Sequence, residues 1–356
     1  MLVSALPSFA RNSSSYQYWC VGECKRDAKT TPKGGTILMG GGTDVDAAFQ
    51  QHLTWADGGD FLVLRASGTD AYNDYIRGLG VANSVATLLT HSVDAGSDPF
   101  VLSKVDTAEA IFFAGGDQWT YLTEWQGTPL QQHIQAAIAR GVPIGGTSAG
   151  CDVQGQYIYT AEHDSVQSDE ALDDPFNRRV TLQEKPFITQ NASILTSAIT
   201  DTHFITRDRL GRMVVFLARL WQDGRDAIGI GIDEQTAIAI DARGKGTMLR
   251  QGEAGGRAFV FMPHAAAATC EKGMPLSFAD VAVQKLDAAY GDTFDFVSLK
   301  GGDASQLYSI SVKNGSLPHD PYRPPLGRRV RPVAWRESSG TSSSRHQGIR
   351  GPAVVR

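Results

Sequence analysis

Two nucleophilic side chains, Ser148 and Cys151, lie three residues apart in the segment GVPIGGTSAGCDVQGQYIY, residues 141–159. A serine is well placed to attack a carbonyl when it occupies a sharp turn between a strand and a helix, flanked by small residues that leave room for the backbone. Gly146 and Gly150 stand two residues to either side of Ser148. This spacing predicts Ser148 as a nucleophile at the apex of such a turn, with the N–H of the next residue donating to a developing oxyanion.

Cys151 is the competing nucleophile, because a thiolate reacts more readily than a hydroxyl. It follows Gly150 directly and falls on the first turn of a helix predicted over residues 149–159, not at the apex. That position is typical of a small buried residue packed against a sheet. Ser148 is therefore favoured, and an amidotransferase-like hydrolase that uses Cys151 is kept as an alternative.

A serine nucleophile needs a base within hydrogen-bond reach, usually a histidine that a carboxylate orients. His203, in SAITDTHFITRDRLGRMVVFLARL, lies in a predicted turn between a short apolar run and an amphipathic helix. His91, at the end of a predicted strand, stays as a second candidate. Charged side chains crowd His203 and suit a site that binds a carboxylate; they are Asp201, Arg207, Arg209 and Arg212.

Two acidic residues, Asp233 and Glu234, interrupt the apolar stretch AIGIGIDEQTAIAI. Burying both charges in a strand is unfavourable unless they are paired or lie where the strand meets the rim of a sheet. Neighbouring residues of a strand point to opposite faces. One of the two is expected to orient a histidine, and the residues themselves do not decide which.

The elements that position these groups alternate between short apolar runs and longer amphipathic stretches, the pattern of a doubly wound α/β fold with a mostly parallel sheet. Ligands bind such sheets outside the carboxyl ends of the strands, so Gly, Ser and Asp at the predicted strand ends are expected to form one rim. After residue 241 short strands and glycine turns predict antiparallel hairpins added to the sheet. The predicted strands are 34–42, 60–68, 84–91, 110–116 and 141–146; the predicted helices are 44–55, 98–106, 130–140 and 149–159.

The 356 residues, 42% of them hydrophobic, are divided by composition into an irregular segment 1–33, a domain 34–317 and a tail 318–356. The tail holds eight Arg and two acidic residues, so the overall charge of −5 leaves −11 on residues 1–317. The tail is poor in large aliphatic residues and is predicted to be disordered. The acidic body argues against a nucleic-acid partner.

No run of eighteen apolar residues occurs, so neither a transmembrane segment nor a membrane partner is predicted. The first dozen residues lack the pattern of a signal peptide. We expect a cytoplasmic protein as written, or a secreted one if the start is truncated. Cys20 and Cys24 have a spacing that could ligate a metal, but no further Cys or His pair completes a site. We therefore predict no metal and no cofactor; a homodimer is one assembly that the sequence leaves open.

Four segments in order, IFFAGGDQ, GGTSAG, DTHFITRDRLGR and GIGIDEQTAI, resemble the cyanophycinases and aspartyl dipeptidases, with ILMGGGTDVDAAF and GTDAYN in support. The likeness covers roughly residues 34–310 and implies a glutamine-amidotransferase-like, flavodoxin-like fold. It implies three catalytic residues: Ser148 as nucleophile, His203 as base and then acid, and Glu234 to orient it. It also implies oxyanion donors at Gly116 and Ala149, and substrate-binding residues at Gln118, Asp201, Arg207, Arg209 and Arg212.

The resemblance implies a serine-type peptidase that hydrolyses peptides with a β-linked aspartate, through an acyl-enzyme and without a cofactor. The substrate of cyanophycinases carries arginine on each aspartate β-carboxyl, so arginines near His203 could bind its carboxylate and the acidic stretch 163–174 could lie near its guanidinium. One alternative is a non-catalytic binder of acidic peptides on the same scaffold, and the other is the Cys151 enzyme.

Overall fold

A computed structural model describes residues 8–184, 187–188, 195–317 and 320–324. The strands are β1 Ser8–Asn12, β2 Tyr16–Gly22, β3 Thr36–Met39, β4 Asp60–Arg65, β5 Ser84–Thr90, β6 Ala110–Phe113, β7 Ile144–Thr147, β8 Ile158–Tyr159, β9 Leu182–Gln183, β10 Ala198–Asp201, β11 Ile228–Ile232, β12 Thr236–Ile240, β13 Lys245–Arg250, β14 Arg257–Met262, β15 Phe278–Asp287, β16 Thr293–Asp295, β17 Lys300–Gly301 and β18 Gln306–Val312. The α-helices are α1 Asp46–Trp55, α2 Tyr72–Leu79, α3 Pro99–Asp106, α4 Gln118–Trp125, α5 Pro129–Ala139, α6 Ala149–Asp152, α7 Ser168–Asp173 and α8 Leu210–Gln222. Short 3-10 helices cover Val93–Ser97 and Ala288–Tyr290.

The central sheet has the strand order β1-β2-β5-β4-β6-β7-β3-β12-β13-β16-β17. Its five middle strands, β5, β4, β6, β7 and β3, run parallel to one another. The flanking strands pair antiparallel on both sides. This confirms the predicted α/β class, with the parallel strands at the centre of a mixed sheet, and it aligns the carboxyl ends of β3, β6 and β7 along one edge.

Each middle strand is buried on both faces, which explains its continuous apolar sequence. In β4, Phe61 and Val63 belong to one core cluster, with α1 and α2, whereas Leu62 and Leu64 belong to another, with α3, α4 and α5. Successive side chains of a strand point to opposite faces. The helices therefore cover both sides of the sheet, as a doubly wound fold requires.

A second sheet has the order β10-β11-β14-β15-β18, in which β10 and β11 are parallel and the remaining pairs antiparallel. The predicted C-terminal antiparallel strands are thus divided between two sheets: β13, β16 and β17 extend the first, whereas β14, β15 and β18 belong to the second. Hairpin signals in a sequence specify a local reversal, not the sheet that the strands join. The step from β11 to β12 carries the chain from the second sheet into the first.

Two predicted element bounds are wrong. Residues 1–33 are predicted to be irregular, but β1 and β2 form an antiparallel hairpin, and β2 pairs with β5. Alternate residues of β2 are buried. The helix predicted over 149–159 ends at Asp152. A Cβ on Gly155 would lie 2.6 Å from the carbonyl oxygen of Ala198, so the chain passes β10 as a close-packed turn before β8.

The predicted tail, 318–356, lies mostly outside the described residues. Its described part, residues 320–324, does not behave as a solvated extension, because the ring of Tyr322 packs against Phe204 and Phe259. Cys20 and Cys24 form a disulfide. In the part of the chain that the structure describes, no helix has both the length and the apolar content needed to cross a bilayer.

Candidate active site

Ser148 occupies the turn between β7 and α6, with φ 52° and ψ −123°. A non-glycine residue in this region of the backbone map is strained, as expected at a nucleophile elbow. The flanking glycines are required by close approach: a Cβ on Gly146 would lie 2.2 Å from the carbonyl oxygen of Gly150, and one on Gly150 would lie 2.1 Å from that of Phe113. The glycine spacing therefore serves the turn that presents Ser148.

A continuous hydrogen-bonded chain joins Ser148, His203 and Glu234. Ser148 Oγ lies 2.8 Å from His203 Nε2, and His203 Nδ1 lies 2.5 Å from Glu234 Oε1. In the tautomer with the proton on Nδ1, His203 donates to Glu234 and accepts from Ser148. The geometry is that of a nucleophile, a base and an orienting carboxylate.

The turn after β3 packs against the side chains of His203 and Glu234. The N–H of His203 donates to the carbonyl oxygen of Gly40, at 2.8 Å. A Cβ on Gly41 would lie 2.4 Å from His203 Cε1, and one on Gly42 would lie 2.9 Å from Glu234 Oε2. Both glycines also have positive φ, 91° and 72°. Only glycine leaves the imidazole and the carboxylate room at these positions.

His203 is buried, with 6% of its surface exposed. Burial lowers its pKa below the ordinary value of 6.5, and the guanidinium groups of Arg207 and Arg209 act in the same direction. The hydrogen bond that His203 donates to Glu234 opposes them. A neutral imidazole at neutral pH is the form that can accept the proton of Ser148.

Asp233 and Glu234 lie in the turn between β11 and β12, at the end of a strand, which is one of the placements that the sequence left open. Glu234 faces His203, as the resemblance implies. Asp233 Oδ1 instead accepts from the N–H groups of Ile205 and Thr206, at 3.0 and 2.9 Å. The two carboxylates therefore have different partners. Glu234 contacts the imidazole of His203, and Asp233 binds the backbone of the loop that follows His203.

Asp201 and Arg212, both predicted to bind substrate, are instead paired with each other. Arg212 Nε donates to Asp201 Oδ2 at 2.7 Å, and Nη2 donates to Oδ1 at 2.5 Å. Their exposed fractions are 1% and 2%. Buried charges need such pairing, so neither side chain is free to contact a substrate. The sequence prediction for these two residues is corrected accordingly.

The other predicted substrate residues remain nearer the surface. Arg207 is exposed, and no ion pair joins it to any residue in the described ranges. Arg209 is half-buried; its Nη1 donates to the carbonyl oxygen of Thr202 at 2.9 Å and lies 3.3 Å from Asp201 Oδ1. Gln118 Nε2 donates to the carbonyl oxygen of Tyr159 at 3.3 Å. Arg207 is thus the predicted cation that the structure leaves unpaired.

Asp152, which the sequence reasoning missed, connects the helix after Ser148 to the residue before His203. Thr202 Oγ1 donates to Asp152 Oδ2 at 3.1 Å. Burial, and then the carboxylate of Asp201, raise the pKa of Asp152. The available signal was a carboxylate only four residues after the nucleophile, in a segment that is otherwise small and apolar.

The predicted oxyanion donors flank the elbow. Ala149 is the first residue of α6, next to Ser148. Gly115, one residue before Gly116, lies beside the nucleophile, since a Cβ there would be 3.5 Å from Ser148 Cβ. The N–H groups of Gly116 and Ala149 therefore belong to the two segments adjoining the serine.

Cys151 is fully buried in α6, and burial raises the pKa of its thiol well above the ordinary value. A buried neutral thiol is a poor nucleophile. His91 is exposed beyond β5, and its N–H donates to the carbonyl oxygen of Ser15. Neither residue therefore takes the place of Ser148 or His203.

Among the residues that the structure describes, one group of carboxylates could hold a cation, at the opposite end of β4 from the elbow. Ligand atoms of Asp27, Asp60 and Glu109 lie within 4.8 Å of one another. Burial raises the pKa of Glu109 to about 7. Ser84 and Ala28 already donate to the oxygens of Asp60.

The fold and this geometry together define an α/β protein with a serine, a histidine and a carboxylate at the strand ends of a parallel sheet, an arrangement that serine peptidases share. The model of peptidase family S51 matches residues 69–248, about half of the chain, and the chain belongs to this family. The predicted kinship with the cyanophycinase-like peptidases is thereby confirmed at the level of the family.

The chain spans about half the length of the curated relatives it matches. It is 28% identical over 182 residues to a cyanophycinase of Synechococcus elongatus, covering 51% of each chain. It is 30% identical to a cyanophycinase of Geminocystis herdmanii, covering 43% of this chain and 53% of that protein. It is 29% identical to peptidase E of Streptomyces coelicolor, covering 28% and 39%. The crystal structure of a peptidase from an acI-B1 Actinobacterium is similar, with a TM-score of 0.48, 17% identity and coverage of 74% and 98%.

Proposed function

We propose that the protein is a serine hydrolase that cleaves β-aspartyl peptide bonds of the isoaspartyl-arginine type through an acyl-enzyme on Ser148. The observation that carries this proposal is the hydrogen-bonded chain from Ser148 Oγ through His203 to Glu234, at 2.8 and 2.5 Å, on a strained elbow. That arrangement makes a serine hydroxyl nucleophilic at neutral pH.

In the proposed reaction His203 Nε2 takes the proton of Ser148 as Oγ attacks the carbonyl carbon of the β-aspartyl bond. The N–H groups of Gly116 and Ala149 donate to the oxyanion of the tetrahedral intermediate. His203 then returns the proton to the leaving amine, and the C–N bond breaks. Water, deprotonated by the same imidazole, attacks the ester; the carboxylate leaves and Ser148 regains its proton.

The expected substrate follows from the relatives and from one exposed cation. The relatives are named cyanophycinase and peptidase E. Arg207 lies on the loop after His203, and its charge acts on that imidazole. A guanidinium in this position suits the α-carboxylate that is free on the aspartate of β-aspartyl-arginine. Asp201 pairs with Arg212 and also contacts Arg209 of the same loop. Neither Asp201 nor Arg212 has a proposed contact with the substrate.

The test compares cyanophycin, β-aspartyl-arginine and α-aspartyl-arginine as substrates, with products read by mass spectrometry. We expect the β-linked compounds to be cleaved and Ser148→Ala to abolish cleavage without lowering the unfolding midpoint by more than a few degrees. A serine-directed fluorophosphonate should label wild type and not this variant. Cys151→Ala serves as the matched control and should retain labelling.

Three results would contradict the proposal, each in a different way. Turnover by Ser148→Ala would remove Ser148 as nucleophile. Binding of β-aspartyl-arginine without cleavage or labelling would favour a non-catalytic binder. Cleavage of α-linked compounds in preference to β-linked ones would retain the serine peptidase and refute the substrate class.

A further inference from the structure

Residues 320–324 lie against the loop that carries His203 and leads into α8, referred to below as the histidine loop, residues 203–209. The ring of Tyr322 contacts those of Phe204 and Phe259, with centroids 6.1 and 5.7 Å apart. The segment is also held by its backbone. Lys285 Nζ donates to the carbonyl oxygen of Tyr322 at 3.1 Å, and the hydroxyl of Tyr308 to that of Pro321 at 2.9 Å. The second sheet thus anchors a segment that lies beyond the residues matched by the family model.

The start of α8 lacks a local cap, because Arg209 stands at the N-cap position and makes no capping hydrogen bond. The first N–H groups of a helix have no partner within it. Leu210 N–H donates instead to the hydroxyl oxygen of Tyr322, at 3.2 Å, and Arg212 N–H donates to Ser168 Oγ, at 3.2 Å. A residue more than one hundred positions away therefore does the work of a capping side chain.

The same hydroxyl also holds the histidine loop. Tyr322 donates to Asp208 Oδ1, at 2.8 Å, and lies 3.3 Å from the carbonyl oxygen of Phe204. The two loop residues that the Tyr322 hydroxyl contacts, Phe204 and Asp208, therefore lie on either side of Arg207 in the sequence. Asp208 has φ 48°, an unfavourable conformation for a non-glycine residue that persists only where surrounding contacts impose it.

We propose that Tyr322 is a positioning residue of the proposed peptidase: its hydroxyl fixes the histidine loop so that Arg207 meets the carboxylate of the substrate. The inference rests on the proposed function for its kinetic consequence. The backbone of His203 has a separate support, because its N–H donates to the carbonyl oxygen of Gly40, and Ser148 and Glu234 lie outside the histidine loop. Loss of the hydroxyl is therefore expected to weaken substrate binding more than the chemical step.

The test is Tyr322→Phe in the full chain, which removes only the hydroxyl. With β-aspartyl-arginine as substrate we expect KM to rise about tenfold and kcat to change by less than about threefold. Fluorophosphonate labelling of Ser148, which needs no carboxylate contact, should stay within about twofold of wild type. Hydrogen exchange of peptides covering residues 204–212 should become faster, because the N–H of Leu210 loses its acceptor.

Arg323→Ala is the matched control, since this neighbour of Tyr322 is 80% exposed and pairs with Asp320. It should leave KM, labelling and exchange as in wild type. A double variant, Tyr322→Phe with Arg207→Ala, should raise KM no further than Arg207→Ala alone, because both changes act through one guanidinium.

Unchanged KM and unchanged exchange in Tyr322→Phe would overturn the inference. So would a parallel loss of labelling, kcat and unfolding midpoint, which would show a general structural role. Tyr308→Phe, which releases the carbonyl oxygen of Pro321, is the second variant and should produce a smaller change of the same kind. If wild type neither cleaves nor is labelled, the proposed function fails, and the exchange comparison still decides whether Tyr322 holds the histidine loop.

Discussion

Gly41→Ala is expected to inactivate the protein by moving one imidazole ring. A Cβ on Gly41 would lie 2.4 Å from His203 Cε1 and 2.6 Å from Nε2, whereas ordinary van der Waals contact begins at 3.4 Å. The ring must therefore retreat by about 1 Å. Since Nε2 lies 2.8 Å from Ser148 Oγ, a shift of this size breaks the hydrogen bond that prepares the nucleophile.

The size of the effect follows from that displacement. A misplacement of about 1 Å at reacting groups lowers the rate about 100-fold. We therefore expect kcat/KM, and the rate of fluorophosphonate labelling, to fall about 100-fold or more. The variant is also expected to lose about 1–2 kcal/mol of unfolding free energy, because Gly41 has φ 91° and alanine is unfavourable in the left-handed region.

Gly127→Ala separates these two effects. Gly127, between α4 and α5, has φ 79°, and a Cβ there would meet no heavy atom of the described chain within 4 Å. Both variants are expected to lose unfolding free energy because alanine is unfavourable at positive φ, but only Gly41→Ala displaces the imidazole. Urea unfolding and labelling kinetics on both proteins form the assay. Wild-type labelling by Gly41→Ala, or an equal loss in Gly127→Ala, would refute the reasoning.

Three further predictions concern charges around the histidine. Glu234→Gln should lower kcat about 10³- to 10⁴-fold, because the amide no longer holds His203 in the required tautomer or stabilises its protonated form. Arg207→Ala should move the acid limb of the labelling rate to higher pH by about a few tenths of a unit, because the guanidinium lowers the pKa of His203 and its removal lets that pKa rise. Asp201→Ala should lower the unfolding free energy by about 3–5 kcal/mol, measured in urea, since it leaves the buried guanidinium of Arg212 unpaired.

Each of these predictions has a contrary result. Activity of Glu234→Gln within tenfold of wild type would show that the carboxylate does not orient the base. An acid limb that moves to lower pH in the Arg207 variant would contradict the sign of the charge effect. For the buried pair the control is Arg225→Ala, which breaks an ion pair with Glu184 whose side chains are 48% and 42% exposed. It should change stability by less than about 1 kcal/mol, and an equal loss in both variants would remove burial as the cause.

The sequence predicted the central sheet well because its strands carry their own signal. Residues such as Phe61 to Leu64 are apolar without alternation, and burial on both faces of a parallel sheet requires that pattern. The helix after Ser148 was predicted too long. Its end depends on the close approach of the carbonyl oxygen of Ala198 to Gly155, a contact between distant residues that local helix propensity does not reflect. The N-terminal hairpin was missed because its alternating residues form a strand only once β5 is beside them.

The sequence by itself determined which groups are available for chemistry: a serine between two glycines, a histidine before an amphipathic helix, and two adjacent carboxylates. Only the tertiary structure decided how they are used. Ser148 and His203 are 55 residues apart and His203 and Glu234 are 31 apart, so their contact depends on how two sheets meet.

The same holds for the arginines of the histidine loop and the start of α8. Arg207 and Arg212 are equivalent as sequence letters, yet Arg212 is buried against Asp201 and Arg207 is exposed. A charge removed from water must be paired, whereas an exposed charge is free to bind a ligand. Burial, which no local pattern specifies, therefore separates the structural arginine from the one that we propose binds substrate.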